Sequence, residues 1–184
     1  MLSITTTSGT EDIEQILDLQ ERNLIRNLSD TEMRTEGFVT IHHSQDMLMK
    51  MHSLGPSVII RDQSRVIAYA LTMMREFSDL VPGLESMFAR FESLQLHEKP
   101  INDYRYYVMG QICIDKAYRG QGLFDLLYQK HQSVYGNDFD FIVTEIATRN
   151  HRSLKAHERV GFKTINTYTD DLDEWNVVVW DWKP

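Results

Sequence analysis

The segment from residue 104 to residue 135 constrains the fold more than any other part of this sequence. Residues 104–114, YRYYVMGQICI, are apolar and rich in aromatic and β-branched side chains, which is typical of a strand. A short polar link, 115–118, leads to the glycine-containing run RGQGLF at 119–124. Apolar residues then recur at helical spacing, at Leu123, Leu126, Leu127, His131 and Val134. We therefore predict a strand, a glycine loop and a helix, in that order.

The glycine loop has the features of an anion site. Gly120 and Gly122 allow a tight turn and leave backbone amides uncovered. The first N–H groups of a helix lack internal partners, and the helix dipole favours negative charge there, so phosphate binds well at this position. Arg119 adds a planar cationic group. The alternative is a plain glycine turn before a helix, since the run matches neither a Walker loop nor a dinucleotide-binding motif.

Composition bounds the class of protein. The chain has 184 residues, 42% hydrophobic and 25% charged, which suits one soluble domain spanning 1–184. A net charge of −8 argues against a nucleic-acid partner. The sequence has no apolar run long enough for a membrane span and no basic-then-apolar start, so we expect neither a membrane segment nor a signal peptide. The single cysteine, Cys113, fits a reducing, cytoplasmic location.

The other elements follow from periodicity and end signals. Thr10 and Ser44 open two helices, and a long segment at about 75–103 separates a hairpin from the central strand and carries a helix at 82–94. Gly161 ends the last helix, with Phe162 as its hydrophobic closure. We predict strands at 2–7, 57–61, 65–74, 104–114, 139–147, 163–168 and 175–182, and a last helix at 150–160.

Two motifs resemble the GNAT superfamily of acetyl-CoA-dependent N-acetyltransferases. ICIDKAYRGQGLF is similar to the family's acetyl-CoA motif, and NHRSLKAHERVGF is similar to its second motif, N-x-x-[AS]-x-x-x-Y-x-x-x-G-F. The element order matches over nearly the whole chain. The resemblance implies an α/β (α+β) fold with a mixed, mostly antiparallel sheet of about seven strands, flanked by helices and with splayed central strands. The chain departs from the family pattern in two places. Phe124 stands where the family usually has Gly or Ala, and His157 stands where many members have a catalytic Tyr.

The resemblance also implies acetyl-CoA as co-substrate. Its pantetheine arm would pair with the central strand as an added strand does, and its pyrophosphate would lie on the loop amides. Asn150 and Ser153 would face the cofactor from the last helix. The implied cofactor-binding residues are Ile112, Cys113, Ile114, Arg119, Gly120, Gln121, Gly122, Leu123, Phe124, Asn150 and Ser153. A nucleophilic role for Cys113 is disfavoured, because a buried structural thiol is the common case.

Glu145 and His157 are the candidate catalytic residues. An amine that attacks a thioester needs a base for its proton, and a carboxyl group in an apolar strand acquires a raised pKa. Glu145 is such a group, and it lies five residues before Asn150, where family members that acetylate ribosomal proteins carry a catalytic Glu. We assign the acid for the leaving thiolate to His157. The alternatives are a structural ion pair for Glu145 and a packed or solvent-edge histidine for His157.

The acceptor is therefore expected to be a primary amine of a small molecule or of a peptide or protein N-terminus. A non-catalytic acyl-CoA-binding or sensing domain and a generic α/β binding protein remain alternatives. A homodimer is left open. No metal is expected, since His42, His43, Asp46 and His52 match no familiar zinc spacing. The acids of the 75–103 insertion and of the 169–174 turn could steer a cationic acceptor, or the inserted helix could simply cover apolar surface.

Overall fold

The computed structural model describes residues 1–27, 39, 41–80 and 85–183. Within these residues the strands are β1 (Leu2–Thr6), β2 (Val58–Asp62), β3 (Arg65–Met73), β4 (Gln95–Leu96), β5 (Lys99–Pro100), β6 (Tyr106–Ile114), β7 (Phe141–Ala147), β8 (Lys163–Thr169) and β9 (Glu174–Asp181). The α-helices are α1 (Thr10–Asn23), α2 (Gln45–Leu54), α3 (Glu85–Glu92), α4 (Leu123–Tyr135) and α5 (His151–Val160).

The chain divides into two compact units. The first comprises residues 1–72 and 109–134, and the second comprises residues 73–108 and 135–184. In the first unit β1 pairs antiparallel with β2, and β2 pairs antiparallel with β3. Helix α1 buries Ile13, Ile16 and Leu19 completely or nearly so. The side chain of Ser44 accepts a hydrogen bond from the amide of Met47 and caps α2, as predicted.

The second unit is organised around β7. This strand is buried along almost its whole length and pairs antiparallel with β9 over seven residues, and β9 pairs antiparallel with β8. All of β6 and β7 lies in the described part of the chain. Their parallel ladder consists of Tyr106–Phe141, Tyr107–Ile142 and Val108–Val143, the first three residues of each strand. The splaying of the two strands beyond this ladder stays a prediction.

Strand β6 contributes residues to both units, and the order of the sheet reads β1-β2-β3-β6-β7-β9-β8. The predicted fold class is confirmed: the sheet has seven strands, is mostly antiparallel and is accompanied by helices. The single domain at 1–184 stays a prediction. None of the helices formed by the described residues is long and apolar enough to cross a membrane.

The inserted segment differs from its prediction. Its helix was expected at 82–94 and is α3, Glu85–Glu92, while residues 81–84 lie outside the described part. Phe88 and Phe91 of α3 are buried. A two-residue hairpin of β4 and β5 follows, which the sequence did not predict because pairs this short leave no alternation to detect. Its turn places His97 and Glu98 at positive φ.

Candidate functional site

The predicted site residues fall in two groups, one in each unit. The first group is the carboxyl end of β6, the glycine loop and the start of α4. The second group lies on β7 and α5, with neighbours on β8 and α3.

The glycine loop presents successive backbone amides that have no hydrogen-bond acceptor in the described part of the chain. Gly120 and Gly122 have φ of 74° and 78°, the left-handed region that glycine adopts without strain. Among the described residues, no acceptor takes a hydrogen bond from the amides of Gly120, Gln121, Gly122 or Leu123. The first three of these residues are exposed, and a Cβ at either glycine would meet no described atom within 4 Å. The loop is therefore an open array of N–H donors at the start of a 13-residue helix.

The side chain of Arg119 contacts the protein rather than projecting alone into solvent. Its Nε donates to the backbone oxygen of Ile114 over 3.1 Å, and its Nη2 donates to Oδ1 of Asn23 over 2.6 Å. These bonds tie the loop to the end of β6 and to α1. The sequence predicted a cationic group for phosphate, and the structure gives the guanidinium a role in holding the loop.

Asp115 supports the same link, and sequence reasoning did not single it out. Its buried carboxylate accepts hydrogen bonds from Arg22 over 3.0 Å and from Arg65 over 2.9 Å. Its other oxygen accepts from the amide of Ala117 and caps the short 3-10 turn that leads to the loop. Three separate segments are thereby joined where β6 ends.

Phe124, the departure from the family pattern, points its ring towards the next turn of α4. The ring lies 5.2 Å from that of Tyr128, centroid to centroid, and is half-buried. The bulk of Phe124 is thus accommodated along the helix.

The last three residues of strand β6 alternate in burial. Ile112 and Ile114 are half-buried, and Cys113 on the opposite face is buried. Burial raises the pKa of the Cys113 thiol to about 12. A thiol with so high a pKa is not a nucleophile at neutral pH, because the thiolate is the reactive form. This residue can offer its backbone to a bound molecule, and its side chain belongs to the core.

In the second group, α5 brings together its three predicted residues. Oδ1 of Asn150 accepts from the amide of Ser153 and caps the helix. One turn on, Nδ1 of His157 lies 2.8 Å from the backbone oxygen of Ser153 and 3.3 Å from its hydroxyl. Gly161, at φ 122°, ends the helix with Phe162 buried behind it, as predicted.

The contacts of His157 define its tautomer. A carbonyl oxygen only accepts, so the Nδ1 that faces Ser153 carries the hydrogen, and Nε2 of the neutral ring is an acceptor. His157 is 3% exposed, and burial lowers its pKa to about 4. The ring also borders a cavity of about 520 Å³ lined by α5, β8 and β9. At neutral pH this histidine is an uncharged group that can receive a proton at Nε2.

Glu145 lies in the middle of β7 opposite Val177 of β9. It is half-buried, and this burial raises its pKa. Its Oε2 accepts a hydrogen bond from the hydroxyl of Tyr168, with 2.5 Å between the oxygens. Among the described residues Glu145 forms no ion pair, so the structural ion pair considered from sequence does not occur there. A half-buried carboxylate with a raised pKa fits a proton acceptor for an amine.

Tyr168 and Arg90 are neighbours of Glu145 that sequence reasoning missed. Tyr168 was placed in a terminal strand without a role, and the Arg90 guanidinium lies 3.6 Å from the centre of its ring. No local signal could have found them, because Tyr168 is 23 residues from Glu145 in sequence.

The comparisons with known proteins bear on the fold. A scan against protein-family models and a search of curated proteins each found no match. Among solved structures, the chain resembles the ribosomal-protein-S18-alanine N-acetyltransferase from Escherichia coli, with a TM-score of 0.64 and 13% identity over 98% of this chain and 94% of that chain. It also resembles a GNAT-family acetyltransferase from Streptococcus agalactiae, with a TM-score of 0.64 and 16% identity over 98% and 95% of the two chains.

A third similar structure is the acetyltransferase-like protein yncA from Salmonella typhimurium, solved with its cofactor acetyl-CoA. The TM-score is 0.63 and the identity 11%, over 99% of this chain and 94% of that chain. At these identities the likeness concerns the fold. The chain has the GNAT fold, in agreement with the resemblance of its two motifs.

Proposed function

We propose that this chain is an acetyl-CoA-dependent N-acetyltransferase that acts on a primary amine of a small molecule or of a peptide or protein N-terminus. The observation that carries the proposal is the array of amides from Gly120 to Leu123 at the start of α4, which find no acceptor among the residues that the structure describes. Such an array suits a pyrophosphate, and the GNAT fold is one in which acetyl-CoA has been found bound, as in yncA.

The residues of the first unit would hold the donor. The loop amides would bind the pyrophosphate, and the backbone of Ile112, Cys113 and Ile114 would pair with the pantetheine arm. Arg119 would fix the loop through Ile114 and Asn23 instead of binding phosphate with its side chain. Bound acetyl-CoA would supply the acyl group in an activated thioester.

Glu145 would take the proton from the attacking amine. A primary ammonium group must lose a proton to become a nucleophile, and the raised pKa of Glu145 brings its basicity closer to neutral pH. His157 would return a proton to the departing sulfur after receiving one at Nε2. With a pKa of about 4, its protonated form is acidic enough to give up that proton readily, but it is scarce at neutral pH.

The pKa of His157 is also the observation that favours a second candidate, a non-catalytic acyl-CoA-binding domain. An acid that is almost always deprotonated at neutral pH serves catalysis poorly, whereas it does not affect binding at the loop. The two functions differ in turnover alone.

The test is a screen of amines with acetyl-CoA, including diamines, polyamines and short peptides with free N-termini, in which released CoA thiol is measured. Calorimetry with acetyl-CoA is run on the same protein. Turnover above the rate of spontaneous hydrolysis supports the enzyme. Binding without turnover on any amine supports the sensing domain, and absence of binding contradicts both.

A further inference from the structure

The inference concerns how Glu145 is held, and it rests on the proposed function. Each oxygen of this carboxylate has a different environment. Oε2 accepts the Tyr168 hydroxyl over 2.5 Å, a length typical of a strong hydrogen bond to an ionised carboxylate. No described residue donates a hydrogen bond to Oε1. The carboxylate is therefore fixed through one oxygen, while the other has no donor within the described part of the chain.

The sheet register explains why Tyr168 reaches this carboxylate. Glu145 is opposite Val177, and Val177 is opposite Asn166, so these three side chains share one face. Tyr168 is two residues after Asn166 and lies on that same face. The side chain crosses β9 diagonally, a reach that a long aromatic residue can span.

The inserted segment holds Tyr168 from the other side. Arg90 of α3 lies with its guanidinium carbon 3.6 Å from the centroid of the Tyr168 ring, which is a close cation–π contact. The Nε of Arg90 is buried and has no hydrogen-bond partner among the described residues. The stacking on Tyr168 is thus the contact that the structure shows for this guanidinium.

Burial and three neighbouring groups, one neutral and two charged, act on the pKa of Glu145. Burial raises its pKa, the Tyr168 hydroxyl lowers it, Asp170 after β8 raises it, and Arg90 of α3 lowers it. The Tyr168 phenol itself has a pKa raised above its usual value by burial and by Glu145, so it keeps its proton and acts only as a donor. Loss of Tyr168 or of Arg90 should therefore move the titration of Glu145 in the same direction.

We propose that Tyr168 is a positioning residue for the base, which holds Oε2 of Glu145 so that Oε1 takes the proton of the acceptor amine, and that Arg90 of the inserted helix fixes the Tyr168 ring. In this step an N–H bond of the ammonium group breaks, an O–H bond forms at Oε1, and the electron pair stays on nitrogen. The phenol proton does not move. The insertion at 75–103 thereby acquires a role in catalysis.

The first experiment uses Tyr168→Phe, which removes the hydroxyl and keeps the ring for Arg90. We expect kcat to fall about 10-fold or more, with an unchanged KM for acetyl-CoA, because a transition-state arrangement is lost while the donor site is intact. The acid limb of the kcat/KM profile should shift to higher pH. The matched control is Tyr104→Phe, which removes a phenol that donates to Leu96 elsewhere in the same unit.

The second experiment does not depend on turnover. The carboxyl carbon of Glu145 is followed by NMR as a function of pH, with Glu145→Gln to assign its signal. The pKa should be higher in Tyr168→Phe and in Arg90→Met than in the parent, and unchanged in Tyr104→Phe. Arg90→Lys, which keeps the charge and loses the planar stacking, should lower kcat while moving this pKa less than Arg90→Met does.

The outcomes distinguish a failure of the positioning role of Tyr168 from a failure of the proposed function. An unchanged Glu145 pKa in Tyr168→Phe, an equal shift in Tyr104→Phe, or a normal kcat in a folded Tyr168→Phe protein overturns the positioning role. A parent protein that acetylates no amine overturns the proposed function itself, and the NMR titration still reports whether Tyr168 and Glu145 are coupled.

Discussion

The guanidinium of Arg119 donates a hydrogen bond to Oδ1 of Asn23 across 2.6 Å, joining the glycine loop to the last residue of α1. A basic residue at the edge of a phosphate loop would ordinarily be assigned to the phosphate. Here Nε faces the backbone oxygen of Ile114 and Nη2 faces Asn23, so under the proposed function we assign anion binding to the backbone amides of the loop.

Arg119→Lys should weaken acetyl-CoA binding by loosening the loop. An ammonium group cannot reproduce both guanidinium bonds, and each is worth about 0.5–1.5 kcal/mol. We expect a lower free energy of unfolding and an affinity about 10-fold weaker, as measured by urea denaturation and calorimetry. Asn23→Ala should weaken binding in the same way. If Asn23→Ala binds normally and Arg119→Lys does not, the guanidinium acts on the phosphate directly.

Gly122→Val should abolish or greatly weaken acetyl-CoA binding. The position has φ of 78°, which a β-branched residue adopts at a cost of about 1–3 kcal/mol, so the loop would change conformation and its amides would turn away. Calorimetry measures the affinity. Gly9→Ala is the control, because Gly9 is extended and a Cβ there meets no described atom within 4 Å. Equal affinities for acetyl-CoA in Gly122→Val and in the parent would contradict the assignment of the glycine loop as the pyrophosphate site.

His157→Phe should lower kcat about 100-fold with nearly unchanged acetyl-CoA affinity, if the imidazole returns the proton to sulfur. Because burial lowers the pKa of His157 to about 4, the protonated fraction of this residue rises as pH falls. At saturating concentrations of both substrates, kcat of the parent should therefore rise between pH 8 and pH 6. The variant should lose this rise. A parent kcat that is flat over this range, or an unaffected variant, would remove His157 from the mechanism.

The acidic side chains of the 75–103 insertion and of the 169–174 turn should contribute little to the affinity for the acceptor amine. Glu92 is paired with Arg75 over 3.2 Å, while Asp173 accepts from Arg149, and Asp170 accepts from Trp175; the Glu85 side chain lies outside the described part. Glu92→Gln and Asp173→Asn should therefore change KM for an amine less than about twofold, with little dependence on salt. A clear rise in KM that disappears at high ionic strength would instead support electrostatic steering.

Stability should fall as the solution becomes acidic. Burial lowers the pKa of His43 and His157 to about 4 and that of His131 to about 3, below the ordinary value of 6.5. The unfolded chain therefore binds more protons below pH 6.5, so this contribution is complete above pH 6.5 and is lost as pH falls towards 4. Each histidine adds a slope of about 1.4 kcal/mol per pH unit.

Urea denaturation at several pH values between 7.5 and 4.5 measures this slope. His157→Phe should reduce it by roughly one third, since one of three such histidines is removed. His97, an exposed residue paired with Asp181, offers the control His97→Gln. A slope that is the same in the parent and in His157→Phe would show that His157 is not a buried neutral group.

Features that depend on neighbours a few residues apart can be predicted from the sequence of this protein. Gly120 and Gly122 supply left-handed φ values for the loop, Asn150 supplies the cap of α5, and Gly161 supplies its end. These signals work because turns and helix ends are stabilised within one turn of chain. The order of the central strand, loop and helix was predictable for the same reason, as was the apolar strand that contains Glu145.

The first residues of β6 and β7 depend on contacts between residues that are distant in the sequence. The strand predicted at 139–147 begins only at Phe141, because the amide of Asp140 bonds the backbone of Arg105. The central strand predicted from residue 104 begins at Tyr106, because the amide of Arg105 bonds the carboxylate of Asp140. Arg105 and Asp140 thus mark the starts of each other's strands. The two residues are too far apart in the sequence for a local sequence pattern to include them together.

Which side chains share a site depends on the order and register of the strands in the assembled sheet. Tyr168 reaches Glu145 because β9 lies between β7 and β8, so that the last hairpin is reversed in the strand order. Arg90 reaches Tyr168 from a helix 78 residues earlier (168 − 90 = 78). Strand order and register are set by the burial of whole sheet faces and not by local conformational preference. The partner of a residue such as Glu145 is therefore distant from it in the sequence and comes into contact with it only when the sheet is assembled.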